Sequence, residues 1–103
     1  MRVLADIAIV PLGVVLSLSR YVAACERVLA EAGLKPKLHA NGTNVEGEFD
    51  DVMAALKRCH ELLHEMGAPR VSTNLRLGSR TDRPQTGDDK IASVQAKMNS
   101  DRA

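Results

Sequence analysis

The 103-residue chain has no tryptophan, one tyrosine and one phenylalanine. That scarcity removes the stacking platforms on which single-stranded nucleic acid binds. It also leaves a core that must be built from Val, Leu, Ile, Ala and Met. A dominant charge is missing too, because 14 basic and 13 acidic residues are interspersed for a net charge of +1. Such a balance gives no electrostatic footprint for DNA or RNA, so nucleic acid is not expected as a partner. Cysteine occurs twice, too few for a disulfide framework, and reads as reduced thiols in a cytoplasmic protein. No apolar run reaches the roughly 20 residues of a membrane span, and no membrane partner is expected. The apolar stretch 3–18 invites comparison with a signal peptide. Asp6 interrupts it and Pro11-Leu12-Gly13 punctuates it, so a strand is the better reading.

What is present suits one domain over 1–103, near the commonest domain size and able to bury a modest core. Residues 3–10 are apolar at Val3, Ala5, Ile7 and Ile9 on one face and at Leu4, Ala8 and Val10 beside Asp6 on the other. Two apolar faces mark a central strand, which Pro11 is expected to end. Ser19 is a good N-cap for a helix over 20–32, with Gly33 as its stop and Val22, Cys25, Val28, Leu29 and Ala32 inward. The Asn41-Gly42 pair is a tight-turn signal between strands at 35–40 and 44–49. In the second of these, Val45, Gly47 and Phe49 alternate against Asn44, Glu46 and Glu48, so Glu46 points away from the face of Val45. Asp50 is expected to cap a helix reaching 66, with Val52, Leu56, Cys59, Leu63 and Met66 inward and Gly67 closing it. A fourth strand over 70–78 puts Val71, Thr73, Leu75 and Leu77 inward. Thr86 with Asp89 forms a capping box for a last helix over 87–99, whose narrow stripe is Ile91, Val94 and Met98. The final residues are expected to fray.

The resulting order predicts an α+β, ferredoxin-like βαββαβ sandwich: a four-stranded antiparallel sheet, two helices on one face and an extra C-terminal helix. The first and third strands sit centrally, and Pro36 fits an edge. The other sheet face holds Leu4, Asp6, Ala8, Val10, Glu46, Asn74 and Arg76 with no helix of its own. So many apolar residues are seldom left to solvent, which predicts a homo-oligomer.

Three groups of residues could carry chemistry. His60-Glu61-Leu62-Leu63-His64 is a literal H-E-x-x-H on a helix, the zinc-protease pattern. Here that helix turns Leu56, Cys59 and Leu63 inward, leaving both histidines on a flank, and no third ligand follows at a recognisable spacing. The match reads as chance, and neither a metal nor another cofactor is expected. Cys25 and Cys59 fall on inward stripes, where thiols act as small hydrophobes. The third group surrounds the hairpin: Thr43, Asn44 and Glu46, with Ser17 and Ser19 at the first helix and Asp6, Asn74 and Arg76 on the open face. None of these makes a nucleophile–base pair or a phosphate-binding glycine loop, so no catalytic residue is expected. On the residues alone, turn chemistry, helix caps and subunit contacts account for this group slightly better than a ligand does.

Val10-Pro11-Leu12-Gly13, Ser17-Leu18-Ser19-Arg20-Tyr21-Val22-Ala23, Gly42-Thr43-Asn44-Val45-Glu46-Gly47, Arg70-Val71-Ser72-Thr73 and Arg80-Thr81-Asp82 together resemble the small thiamine-binding protein family, YkoF-like in fold. The resemblance runs from about residue 3 to 98. It implies a ferredoxin-like fold, dimers or tetramers formed through the sheets, and members that bind thiamine or its hydroxymethylpyrimidine moiety. It turns the third group into a ligand set of Glu46, Thr43, Asn44, Ser17, Ser19, Asp6 and Asn74. Carboxylates suit a protonated aminopyrimidine and a cationic thiazolium. Only Tyr21 and Phe49 could stack on a ring, and Phe49 is assigned inward. The expectation is a non-enzymatic, cytoplasmic, oligomeric binding protein for a small molecule. A structural or regulatory homo-oligomer without ligand is the alternative.

Overall fold

Alternation of apolar residues organises the sheet, and helix-period stripes then cover one side of it. The computed structural model describes residues 1–14 and 18–101. In order, the elements are β1 (Arg2–Leu12), α1 (Ser19–Glu31), β2 (Lys37–His39), β3 (Gly42–Glu48), α2 (Phe49–Glu65), β4 (Arg70–Ser79) and α3 (Gly87–Asp101). The strands pair antiparallel in the order β2-β3-β1-β4, with β1 and β3 central as expected for the ferredoxin-like arrangement. Val3, Ala5, Ile7 and Val45 are buried beneath Cys25 and Leu29 of α1 and Val52, Leu56, Cys59 and Leu63 of α2. Burying a side chain such as Leu29 or Leu63 contributes about 1.5–3 kcal/mol, so the two helix stripes are the main reason this sheet face closes.

Both main helices end alike. Gly33 takes φ 76° and Gly67 takes φ 104°. Leu34 N–H bonds to Leu29 C=O at 3.2 Å and Gly33 N–H to Ala30 C=O at 3.0 Å, while Ala68 to Leu63 and Gly67 to His64 repeat the pattern. These are Schellman closures, each with a buried apolar residue just past the glycine, Leu34 and Ala68.

Several boundaries differ from expectation. Pro11 does not end β1, which pairs with β4 through Leu12↔Arg70 but with β3 only as far as Ile7↔Thr43. Strand residues two apart send their amides to the same side. Pro11 therefore directs its missing N–H to the side where β3 has already stopped, and it breaks no ladder bond. The hairpin turn is Ala40-Asn41 rather than Asn41-Gly42, because His39 and Gly42 pair as the last residues of β2 and β3. Ser19 is the first helical residue of α1 rather than its cap, and Leu18 occupies the cap position. Asp50 likewise lies inside the first turn of α2, which begins at Phe49 after an extended Glu48. Phe49 is accordingly 38% exposed instead of inward. Tyr21, unassigned from the pattern, is buried in the core, and Ala32 is exposed. Leu75 faces the helix side but is 36% exposed at its place on edge strand β4. The last helix runs to Asp101, past its expected end at 99, and of the terminus expected to fray residues 102–103 lie outside the described residues.

Candidate functional site

Because β1 outruns the hairpin, a notch opens where β3 turns away. A cavity of about 190 Å³ occupies it, lined by Ile7 to Val10 of β1, by Leu18, Val22, Cys25, Glu26 and Leu29 at the first helix, and by Leu38 to Thr43 of the hairpin. A side chain built on Gly42 would lie 2.7 Å from the Ile7 carbonyl oxygen, so that carbonyl faces β3. By the two-residue alternation, the Ile9 N–H and C=O face the same side. Among the described residues no strand pairs with that edge beyond Ile7. A strand edge of this kind presents a donor and an acceptor to whatever enters.

The side chains around the notch add one acid and one hydroxyl. Thr43 is buried among the apolar residues of the core, and its hydroxyl donates to Glu26 Oε1. Thr43 shares its face with Ile7 and Val45, one position out of phase with Asn44, which sends it to the helix side. Glu26 comes from the middle of α1, one turn from Val22 and on the flank of the inward stripe. It holds a half-buried carboxylate among Val22, Leu29 and Thr43. The hairpin supplies a planar group, His39, which also lines the cavity. His39 Nε2 bonds to Asp6 Oδ1 at 2.7 Å, and the Asn41 N–H donates to His39 Nδ1 at 3.3 Å, which together assign the neutral tautomer protonated at Nε2. The cavity is smaller than the roughly 300–1,000 Å³ typical of drug-sized pockets and suits one small ring rather than a whole nucleotide.

The seven residues proposed from the sequence are divided between two places. Thr43 belongs to the notch, and Ser19 opens α1 beside Leu18, one of the cavity walls. Ser17 lies outside the described residues. Asp6, Asn44, Glu46 and Asn74 lie on the open sheet face, in cross-strand rows Asp6↔Asn44, Leu4↔Glu46 and Ala8↔Asn74, with Arg76 opposite Asp6. Glu46 accepts a 3.4 Å bond from the Gly87 N–H at the start of α3, so α3 reaches over its row. Glu26 and His39 were missed. The signal for Glu26 was a lone acid beside an apolar helix stripe, which is common enough to carry no weight by itself.

The remaining motifs are engaged locally. His60 Nε2 lies 2.5 Å from Thr73 Oγ1, and the His64 Nδ1–H donates to the Ala68 carbonyl at 2.8 Å. The two imidazoles thus serve β4 and the α2 terminus instead of converging. Among the described residues no group of three or more His, Cys, Asp or Glu could hold a metal. Both thiols are buried, and Cys59 donates to the Cys25 carbonyl at 3.9 Å. The Cys59 thiol is held far above the usual thiol range by its hydrogen bond to Cys25 and then by burial. Such a thiol stays protonated and makes a poor nucleophile.

The family described as thiamine-binding protein matches residues 5–95. The UPF0045 protein sll0230 of Synechocystis is 58% identical over 95 residues, spanning 92% of this chain and 78% of that protein. The crystal structure of the hypothetical protein MJ1052 of Methanocaldococcus superposes with a TM-score of 0.84 at 31% identity, covering 91% of this chain and 96% of that one. A Thermotoga maritima structure named for thiamine biosynthesis or salvage superposes with a TM-score of 0.78 at 22% identity, covering 91% and 99%. At that identity the last match speaks for the fold alone. Among the described residues no helix is long and apolar enough to cross a membrane.

Proposed function

The chain belongs to the thiamine-binding protein family, and from that premise we propose that it is a non-enzymatic, cytoplasmic binding protein for thiamine or a related aminopyrimidine such as hydroxymethylpyrimidine. The observation that carries the reading is the notch, in which one carboxylate, Glu26, one hydroxyl, Thr43, and a strand edge at Ile9 that no described strand pairs with meet within apolar walls. An aminopyrimidine offers ring nitrogens that accept, an exocyclic amine that donates and, when protonated, a cation for a carboxylate. Glu26 takes the protonated ring nitrogen, and the Ile9 amide edge takes the neighbouring donor and acceptor. His39, held by Asp6, borders the notch from the open sheet face, opposite Glu26 and Thr43. Thr43 holds the Glu26 carboxylate in register. A thiazolium would project toward the mouth, where its fixed charge favours the same acid. Of the sheet-face residues, Asp6 acts on this site by orienting His39, whereas Asn44, Glu46 and Asn74 serve contacts between subunits of a homo-oligomer.

A second reading, a homo-oligomer without any small ligand, draws on the same uncovered sheet face. Amide chemical shifts on addition of hydroxymethylpyrimidine separate the two. Ligand binding in the notch moves Ile9, Glu26 and Thr43, and leaves Asn74 and Arg76 in place. Shifts confined to the sheet face would relocate the site to Glu46, and no shifts with this compound or thiamine would leave the second reading.

A further inference from the structure

The two cysteines of the chain meet where the main helices pack together, Cys25 on α1 and Cys59 on α2. Both are buried, at 6 and 0% exposure. The Cys59 thiol is directed at Cys25, lying 3.9 Å from its carbonyl oxygen and hydrogen-bonding to its side chain. Thiols that serve only as small hydrophobes need no such partner. A second feature sets the pair apart. Cys25 lines the notch beside Glu26, whereas Cys59 is not among the residues that line it.

That arrangement gives the two sulfurs different chemistry. The hydrogen bond from Cys59 shifts the Cys25 thiol below the ordinary thiol range, against the opposing effects of burial and the Glu26 charge. Cys59 is shifted the other way, by its hydrogen bond to Cys25, then by burial, then by the charge of Cys25. The thiolate is the form that attacks an oxidant. Of the two, Cys25 is therefore the more readily ionised and also the one a small reagent meets first. A cavity of about 190 Å³ holds several water-sized molecules, and hydrogen peroxide is little larger than water.

We propose that Cys25 is a site of oxidation by peroxide entering through the notch, with Cys59 as the thiol that resolves it into a disulfide. The Cys25 thiolate attacks one peroxide oxygen and the O–O bond breaks. Sulfur is oxidised to sulfenic acid, and the departing hydroxide takes a proton and leaves as water. A neutral sulfenic acid carries no charge to oppose ionisation of Cys59. The Cys59 sulfur then displaces the sulfenic hydroxyl, an S–S bond replaces the S–O bond, and the Cys59 proton leaves with the hydroxide as a second water. In sum, two thiols and one peroxide give one disulfide and two waters. The new bond ties α1 to α2 next to Glu26, and a dithiol reductant reverses it by exchange. The inference is independent of the ligand reading, since peroxide needs only the opening and the two thiols.

Treatment of the folded protein with hydrogen peroxide at neutral pH tests it, followed by alkylation of the remaining thiols and tryptic mapping without reduction. Circular dichroism before and after treatment verifies that the fold persists. The expected product in wild type is a link between the peptides 21–27 and 59–70 of one chain, which dithiothreitol removes. In Cys59→Ser the link is lost and dimedone, a sulfenic-acid reagent, labels Cys25. In Cys25→Ser the link is lost and Cys59 stays unmodified. Wild type without a Cys25–Cys59 link, or with links between separate chains only, overturns the proposal. Dimedone on Cys59 of a folded Cys25→Ser protein overturns the order of the two thiols. The wild-type result stands by itself should either serine variant fail to fold.

Discussion

At the scale of single residues, Gly42 shows how a correct signal can carry the wrong reason. Asn-Gly reads as a turn because glycine tolerates positive φ, yet Gly42 has no positive φ and the turn lies one residue earlier. What requires glycine is space. A Cβ there would sit 2.7 Å from the Ile7 carbonyl oxygen and 3.3 Å from the His39 ring as it crosses to Asp6. A backbone carbonyl held in the ladder cannot move aside. Gly42→Ala is therefore expected to destabilise the protein by about 1–3 kcal/mol in urea unfolding, as other overpacked sites do. An unchanged midpoint would contradict that account. Thr43 was legible as a polar residue of interest, but its face was not. The sequence reading grouped it with Glu46, whereas strand alternation sends neighbours one and three positions apart to opposite sides. Its partner Glu26 lies 17 residues away on another element, a distance that local pattern cannot bridge.

Among the elements, helix stops were easier to read than helix starts. Gly33 and Gly67 both close helices in the left-handed region, where the need for glycine is local. Ser19 and Asp50 looked like caps but fall inside first turns, with Leu18 and Glu48 at the cap positions. The start of α3 was legible, since Thr86 and Asp89 sit on an exposed segment where local chemistry decides. Asp89 titrates below the ordinary aspartate range, first through the Thr86 backbone N–H and then through the Thr86 side chain. A lowered folded value means that its contribution is complete above the unfolded pKa, about 3.9, and is lost as pH falls through the folded one. Protection of the amides in the first turn of α3, relative to their intrinsic exchange rates, is expected to fall under acid before the rest of the helix responds, and Asp89→Ala should show the reduced protection at every pH. An equal fall in both proteins would assign the effect elsewhere.

For the whole molecule, the element order was legible from apolar period together with turn and cap signals, and the central position of β1 and β3 from the split βαβ order they imply. The notch was not, because it arises from a difference in length between two pairings of β1, which only the assembled sheet reveals. The uncovered sheet face was legible from Leu4, Ala8 and Val10, and it predicts assembly. Val10→Lys places a charge on that face and is expected to cost about 3 kcal/mol per interface if the face is buried between subunits. Light scattering that finds the same mass and midpoint of dissociation as wild type would remove the face from the interface.

The central claim concerns Glu26, and calorimetric titration of hydroxymethylpyrimidine and thiamine tests it most directly, run on wild type, Glu26→Gln and Glu46→Gln. Glu26→Gln keeps the size and the Thr43 contact but loses the charge-assisted bond, so affinity should fall by roughly 1.5–3 kcal/mol, about tenfold to a hundredfold. Glu46→Gln should bind as wild type does, while shifting only the oligomer equilibrium. Binding lost in Glu46→Gln but intact in Glu26→Gln, or no heat from either compound with wild type, would contradict the account.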